Sequence, residues 1–233
     1  LPLLRNRIVA LGLLTQFIGH GTMITMTVMV PLELQLVGGL APAAAATQLI
    51  ALSLGPPVGS LIAGRTMAAT GRYRPQQLIG ALGVALAVGG LAVAIAFDAP
   101  HWVAIALLFA SGVGFGLQFP TTLVAIQSAA PPEHLGAAVA AVNFVRSLGG
   151  ALGIALLSTL LLELLRGGAP ELASVSAGAD VMRALTATDA DALRARMQPV
   201  AELAFEAVFA VCALGSVVVL ALFGAMPERV LRD

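Results

Sequence analysis

The sequence contains few charges, a single cysteine and no lysine. Charged residues make up 10% of the 233 residues, and twelve basic residues balance twelve acidic ones, so the formal net charge is zero. Soluble domains carry about 25% charged residues, and this chain therefore lacks the polar surface that a water-soluble core needs. The balanced charge and the absence of a basic stripe also argue against a nucleic-acid partner. The composition excludes an ordinary soluble enzyme and indicates lipid as the solvent for much of the surface.

Residues that build catalytic or metal sites are scarce and scattered. Cys212 lies in an apolar run, which excludes a disulfide framework or a cysteine metal site. The histidines, at His20, His101 and His134, stand in separate segments without a metal-ligand spacing. The glycines of residues 112–116 lack the preceding strand of a dinucleotide loop, and in an apolar segment they favour helix packing. We therefore expect no enzyme activity, no catalytic residue, no metal site and no cofactor.

Six apolar segments are long enough to cross a bilayer, which takes about 20 residues at a rise of 1.5 Å each. They predict an all-α membrane protein. A stretch that holds seven of the 24 charges separates the last two segments, and we expect it to lie outside the hydrocarbon, with a short surface helix from Asp189 to Met197. The predicted spans cover about 8–37, 43–69, 77–97, 102–129, 136–165 and 201–226, and the long outer loop covers 167–200.

The arginines predict the orientation, because cytoplasmic loops collect positive charge. With the N-terminus inside, the two short outer loops contain no arginine and seven arginines lie on the inner side. We therefore expect a multi-pass protein with both termini in the cytoplasm. The seven inner arginines are Arg5, Arg7, Arg65, Arg72, Arg74, Arg229 and Arg232.

Polar side chains recur at helical spacing on the first and fourth spans. Polar groups are costly in a membrane and usually face a bundle interior or a water-filled cavity. The two spans correspond in a three-plus-three arrangement, the internal repeat of many transporters, which favours a shared cavity. The competing interpretation is that these side chains form hydrogen bonds between helices. His20 either packs in the bundle or carries protons, which the ordinary pKa of a histidine would allow. The predicted cavity residues are Gln16, His20 and Thr27 on the first span, and Ser111, Phe115, Gln118 and Thr122 on the fourth.

The fifth span carries a charge far from either end. Arg146 stands about ten residues into the span, where its charge cannot easily reach the interface, so it needs a partner or a wet cavity. Asn143 lies on the same face, which continues into Gly149, Gly150 and Gly153. We predict that Asn143 and Arg146 are buried polar or seam residues, with a structural contact and a substrate role both open. The glycine face predicts close helix packing.

The loop between the second and third spans resembles a signature of the major facilitator superfamily, which typically reads G-x-x-x-D-R-x-G-R-[RK]. Ala68 and Ala69 stand where the signature has an acidic and a basic residue, a departure that is common in the C-terminal half of such proteins. The matching residues of this predicted cytoplasmic loop are Gly64, Gly71, Arg72 and Arg74.

Three further segments, residues 30–39, 125–136 and 144–153, are similar to the C-terminal half of fourteen-spanner drug:proton antiporters of that superfamily. The resemblance runs from about residue 5 to residue 165, and the last third matches only in layout. Glu33 stands where family members usually carry tyrosine, which places an acidic group near the outer mouth and bears on substrate charge.

The resemblance implies that the six helices form one half of a major facilitator fold, a three-plus-three inverted repeat. The first and fourth spans would line the central cavity, and the second and fifth would form the seam with the other half. Since the sequence begins with Leu1 rather than methionine, we expect a fragment or a processed piece that does not transport alone.

The function that the resemblance implies is that of a multidrug efflux permease. It would export drugs or other small amphipathic molecules against protons, by alternating access, in a bacterial cytoplasmic membrane. Its partners would be the lipid bilayer, the missing N-terminal half, a small-molecule substrate and protons. The alternatives are a permease of the same superfamily for another small solute, or a non-transporting membrane scaffold that pairs with itself.

Overall fold

The computed structural model describes residues 5–97, 99–168 and 191–227, and every regular element in this part of the chain is a helix. Six of the helices are long and apolar enough to cross a membrane, which confirms the predicted all-α membrane class. A short 3-10 helix, Pro132–His134, precedes the fifth long helix. The long helices are α1 (Arg7–Leu36), α2 (Pro42–Thr70), α3 (Arg74–Ala96), α4 (His101–Ala129), α5 (Leu135–Gly168) and α6 (Asp191–Ala225).

Helix α6 is longer than the apolar segment that predicted it. It begins at Asp191 and runs through Pro199 without a break, so residues 191–197 belong to the last long helix and not to a separate surface helix. Its 35 residues extend over about 52 Å, more than the ~30 Å of a hydrocarbon core, and the polar first turns therefore project beyond the apolar span. The rest of the predicted outer loop, residues 169–190, lies outside the described residues.

Local capping chemistry explains where the helices begin and end. Asn6 accepts a hydrogen bond from the backbone N–H of Ile8 at 3.0 Å and starts α1. Its Nδ2 donates to the carbonyl of Ala129 at 3.0 Å, which ties the beginning of α1 to the end of α4. Gly71 ends α2 with φ of 64°, a left-handed conformation that favours glycine.

The helices form two triplets, α1 to α3 and α4 to α6, with matching contacts. Helix α2 packs on α4 as α5 packs on α1, while α3 and α6 pack on each other and join the triplets. Both close contacts use glycine pairs, and the pair on α5 lies 94 positions after the pair on α2 (residue 149 against residue 55). The contacts join Gly55 and Gly59 to Gly112 and Gly116, and Gly149 and Gly153 to Phe17 and Gly21.

These contacts have no room for side chains. A Cβ at Gly55 would stand 2.5 Å from the Cα of Gly112, and one at Gly153 would stand 2.8 Å from the Cα of Gly21. Small residues let helix backbones approach each other where lipid supplies no hydrophobic driving force. The packing role predicted for both glycine runs is confirmed, and it fixes the rotation of α1 and α4 toward the bundle interior.

A polar layer divides the core into two hydrophobic clusters. One cluster contains Met26, Leu108 and Phe115, and the other contains Leu13 and Ile126. Between them, along α1 and α4, lie the buried polar residues Gln16, Thr22, Thr25, Gln118, Thr121 and Thr122. Several of the polar groups that the sequence carries in its first and fourth spans therefore gather between the two hydrophobic clusters.

Candidate functional site

Helices α1, α4 and α5 meet at a hydrogen-bonded cluster built around Arg146. The Nε of Arg146 donates to Oε1 of Gln16 at 2.9 Å. Nε2 of Gln16 donates to the backbone carbonyl of Phe119 at 3.0 Å, and Nη2 of Arg146 makes a longer bond of 3.4 Å to the same carbonyl. One arginine, one glutamine and one carbonyl thus link three helices that are distant in sequence.

The cluster lies well inside the spans, about a third of the way along α1, α4 and α5. Gln16, Phe119 and Arg146 stand nine to eleven residues from the helix ends on the side that carries Asn6 and Ala129. At 1.5 Å per residue this is about 15 Å along helices whose 29 to 34 residues extend over about 44–51 Å, so the cluster lies between these ends and the helix midpoints. The charge of Arg146 therefore stands about three turns inside α5.

Aromatic rings form one wall of the cluster. The guanidinium carbon of Arg146 lies 5.4 Å from the ring centroid of Phe119, within the range of a cation–π contact. Phe119 stacks on Phe115 at 5.4 Å and meets the ring of His20 at 5.7 Å. The result is a row of three rings along α1 and α4, with the Arg146 cation against the central ring of Phe119.

Two features of the cluster leave bonding capacity unused. A guanidinium has five N–H donors, and Arg146 uses two of its nitrogens in the hydrogen bonds above. Among the described residues, no carboxylate lies within ion-pair distance of Arg146. The Nδ1 atom of His20 is buried without a hydrogen-bond partner in the same part of the chain. The cluster can therefore bind a further hydrogen-bonding or negatively charged group.

A sequence profile of the Major Facilitator Superfamily matches residues 1–154, the part of the chain that contains this cluster. The chain belongs to the major facilitator superfamily. This is a superfamily of membrane transporters rather than enzymes, and its match agrees with the six spanning helices of the predicted fold class.

Relatives within the major facilitator superfamily come from bacteria and fungi. The chain is 31% identical over 168 residues to the "Tetracycline resistance determinant" of Streptomyces rimosus, which covers 72% of this chain and 48% of that protein. It is 28% identical over 235 residues to "MFS-type transporter astH" of Aspergillus oryzae, covering 96% of this chain and 40% of the other. It is 34% identical over 154 residues to "MFS-type efflux pump MMF1" of Pseudozyma antarctica, covering 65% and 28%. The chain spans half the length of these relatives or less.

The other predicted cavity residues of this major facilitator chain are distributed around the cluster. The Thr122 hydroxyl donates to the Gln118 carbonyl at 2.6 Å and accepts from Nε2 of Gln77 at 3.2 Å, so Thr122 faces α3. Ser111 is buried and donates to the Leu108 carbonyl. Gln118 is also buried, whereas Thr27 and Asn143 are exposed on the surface of the described bundle. Whether any of them lines a substrate path stays a prediction.

Phe119 is the member of the cluster that sequence reasoning missed. An aromatic residue in an apolar span has no distinguishing pattern, although two signals were available. It lies one helical turn after Phe115, and it precedes Pro120, whose missing N–H disturbs the backbone bonding of that turn. Gln77, the buried partner of Thr122, was also missed. It stands at the very start of its predicted span, where a polar residue marks only the boundary of the apolar segment.

The loop of the major facilitator signature is attached to the end of α6. Arg74 donates through Nη2 to the carbonyl of Gly224 at 2.7 Å, and the buried Tyr73 donates its hydroxyl to the carbonyl of Pro227 at 3.3 Å. Gly71 makes the left-handed turn, and a Cβ at Gly64 would meet nothing within 4 Å. The loop therefore braces the first triplet of helices against the last helix.

Glu33 is more enclosed than its position near the outer end of α1 suggests. It is half-buried and lines a cavity of about 290 Å³ between α1, α3, α4 and α6. His101 and Gln198 line the same cavity. The departure from tyrosine that the sequence shows at this position thus places a carboxylate inside the bundle mouth.

Proposed function

We propose that this chain is the C-terminal half of a fourteen-span drug:proton antiporter that exports small amphipathic molecules. The observation that carries the proposal is the cluster of Gln16, Phe119 and Arg146 inside the spans, which joins α1, α4 and α5 by side-chain bonds. Substrate sites of major facilitator transporters form near the bilayer midplane at the interface of repeats. The relative of Pseudozyma antarctica, which is named as an efflux pump, supports the direction of transport.

The chemistry of the cluster suits an amphipathic substrate. The rings of His20, Phe115 and Phe119 offer apolar faces, and Arg146 offers unused N–H donors. In our proposal Gln16, His20, Thr27, Ser111, Phe115, Gln118 and Thr122 line the path, and Asn143 and Arg146 stand at the seam with the other half. Alternating access then consists of this half rocking against an N-terminal half around the cluster.

The proposed orientation puts the α2–α3 loop and both termini in the cytoplasm. The support is the arginine count of the sequence, because Arg5, Arg7, Arg65, Arg72 and Arg74 all stand at the same end of the helices. The loop residues Gly64, Gly71, Arg72 and Arg74 then form the cytoplasmic signature, and Glu33 faces the outer mouth.

The experiment uses the full-length gene product in everted membrane vesicles that carry an imposed pH gradient. Accumulation of a fluorescent amphipathic dye is measured with and without a protonophore. We expect Arg146→Gln to reduce the initial rate at least about tenfold, since it removes the charge and the donor to Gln16. Arg65→Gln is the matched control, an exposed arginine of α2 outside the cluster, and it should transport normally.

Two results would contradict the proposal in different ways. Dye movement that survives collapse of the pH gradient would exclude proton coupling but leave efflux intact. Normal transport by an Arg146→Gln variant that is expressed at the wild-type level would show that the cluster has no part in the transport cycle.

A further inference from the structure

The cavity of about 290 Å³ that contains Glu33 is enclosed by four helices of this chain. Helices α1, α3, α4 and α6 form a closed ring of contacts, because α1 packs on α4 and α6, and α3 packs on the same two helices. Among the described residues, none from α2 or α5, the helices that we place at the seam, lines the cavity. The described walls of the cavity therefore belong to this half of the transporter.

The cavity has a polar rim and an apolar interior. At the rim, His101 and Gln198 are exposed and Glu33 is half-buried. The interior extends to Val30 and Leu91, which stand six and five residues from the ends of α1 and α3, about 8–9 Å along the helices. The buried interior side chains are Val30, Leu34, Leu91 and Phe209. The cavity therefore fits a molecule that is polar at one end and apolar along the rest of its length.

The rim carries a negative charge that has no counter-ion. Among the described residues, no basic side chain lies within ion-pair distance of the Glu33 carboxylate, and this carboxylate accepts no hydrogen bond. Glu202 of α6 repels it and accepts a hydrogen bond from Nε2 of Gln198 at 3.0 Å. The adjoining short loops, residues 37–41 and 97–100, contain no arginine. A carboxylate that is partly removed from water without a partner is costly, and a cation that binds beside it would offset that cost.

We propose that this cavity binds a small organic cation, a protonated amine that carries an apolar group. The ammonium donates to the Glu33 carboxylate at the rim, and the apolar group lies against Leu91 and Phe209. An inorganic cation would leave the apolar interior unfilled, and a neutral or anionic molecule would leave the carboxylate unpaired. Glu33 stands 17 positions after Gln16, about 25 Å along α1, so the site is separate from the Arg146 cluster. It would be present whether or not the protein exports drugs.

The test is isothermal titration calorimetry of the full-length protein in lipid nanodiscs, with the heats of empty nanodiscs subtracted. The probes are 4-phenylbutylamine, which is a cation at neutral pH, and 4-phenylbutanol, which has nearly the same shape without the charge. We expect the amine to bind at least about tenfold more tightly, because a hydrogen bond between charged groups is stronger than one to a neutral donor. Glu33→Gln should abolish this preference and keep the affinity for the alcohol, which shows that the cavity is intact.

Glu163→Gln is the matched control for the charge. It removes a carboxylate at the same end of the bundle, from an exposed side chain of α5 that does not line the cavity, so the preference for the amine should remain. Ala104→Leu places a larger side chain in the cavity wall and should weaken the binding of both probes at least about fivefold. Ala110→Leu, at an exposed position of α4 outside the cavity, should change neither affinity.

Equal affinities of the wild type for the two probes overturn the proposal, and so does the absence of binding by either probe. A preference that persists in Glu33→Gln, or that disappears in Glu163→Gln, also overturns it, since the amine would then respond to the general charge of the protein surface. If Glu33→Gln does not fold, the wild-type ratio and the comparison of Ala104→Leu with Ala110→Leu decide. The calorimetry measures no transport, so its outcome is separate from that of the dye experiment.

Discussion

The hydrogen bond between Arg146 and Gln16 can be isolated by a double-mutant cycle of Arg146→Met and Gln16→Leu. Gln16→Leu removes the bond to Arg146 at 2.9 Å and the bond to the Phe119 carbonyl at 3.0 Å. Arg146→Met removes the same 2.9 Å bond, the longer contact with that carbonyl and the contact with the Phe119 ring. Only the Arg146–Gln16 bond is shared directly, so the coupling energy measures chiefly that bond.

The expected coupling follows from the charge and the medium. A hydrogen bond to a charged group is worth about 1.5–3 kcal/mol in soluble proteins. Hydrogen bonds between membrane helices average about 0.6 kcal/mol and reach about 1.7 kcal/mol, because the unfolded state in the membrane also finds partners. The Arg146–Gln16 bond is charged and Gln16 is 1% exposed, so we expect a coupling near the upper membrane value, about 1.5 kcal/mol.

The assay is equilibrium unfolding of the full-length protein in mixed micelles titrated with dodecyl sulfate. The control cycle pairs Arg146→Met with Gln118→Leu, since Gln118 is 2% exposed and its side chain makes no hydrogen bond among the described residues. The control coupling should stay within about 0.5 kcal/mol of zero. A Gln16–Arg146 coupling that is equally small would refute the account of the cluster as a hydrogen-bonded unit.

Two further predictions concern the contacts that position the cluster. Gly59→Ala should lower stability by about 1–3 kcal/mol, because its Cβ would collide with the carbonyl oxygen of Val113, and a fall in the thermal midpoint measures this. Gly64→Ala, on the same helix with nothing within 4 Å, should be neutral or stabilising by up to about 1 kcal/mol; a loss equal to that of Gly59→Ala would contradict the packing argument. Asn6→Ala should cost about 1–2 kcal/mol, and Asn6→Asp should cost less, since it keeps the helix cap and loses only the donor to Ala129. Equal losses in the two Asn6 variants would mean that the cap contributes nothing.

The sequence predicted the spans because hydropathy is a property of long windows. The mean hydropathy of about 20 residues stays high when a few of them are polar, so the spans that contain Gln16 and Pro120 were still predicted. The first turns of α6 were not predicted as part of that helix, because their polarity resembles that of a loop while their helical hydrogen bonds have no hydropathy signal. The glycine faces were predictable from a short local pattern. Small residues repeated at helical spacing in a membrane span indicate a close contact between helices.

The candidate site could be predicted only in part. The position of Arg146 well inside its span predicted that its side chain has a polar partner. The sequence did not identify that partner, which is Gln16, 130 positions away. The Phe119 carbonyl is a backbone group, and no sequence pattern identifies a carbonyl as an acceptor for a distant side chain. The sequence places the Glu33 carboxylate near the outer end of its span. The structure shows that this carboxylate lines a cavity between neighbouring helices.

The amino-acid order alone thus specified an all-helical membrane chain, the number of its spans and the polar residues that lipid would not tolerate unpaired. The tertiary structure decided which of those residues meet. The physical reason is that the partner of a side chain depends on the rotation and separation of its helix. Those are set by the glycine contacts of Gly21 with Gly149 and of Gly59 with Gly116, which exist only once the helices have packed.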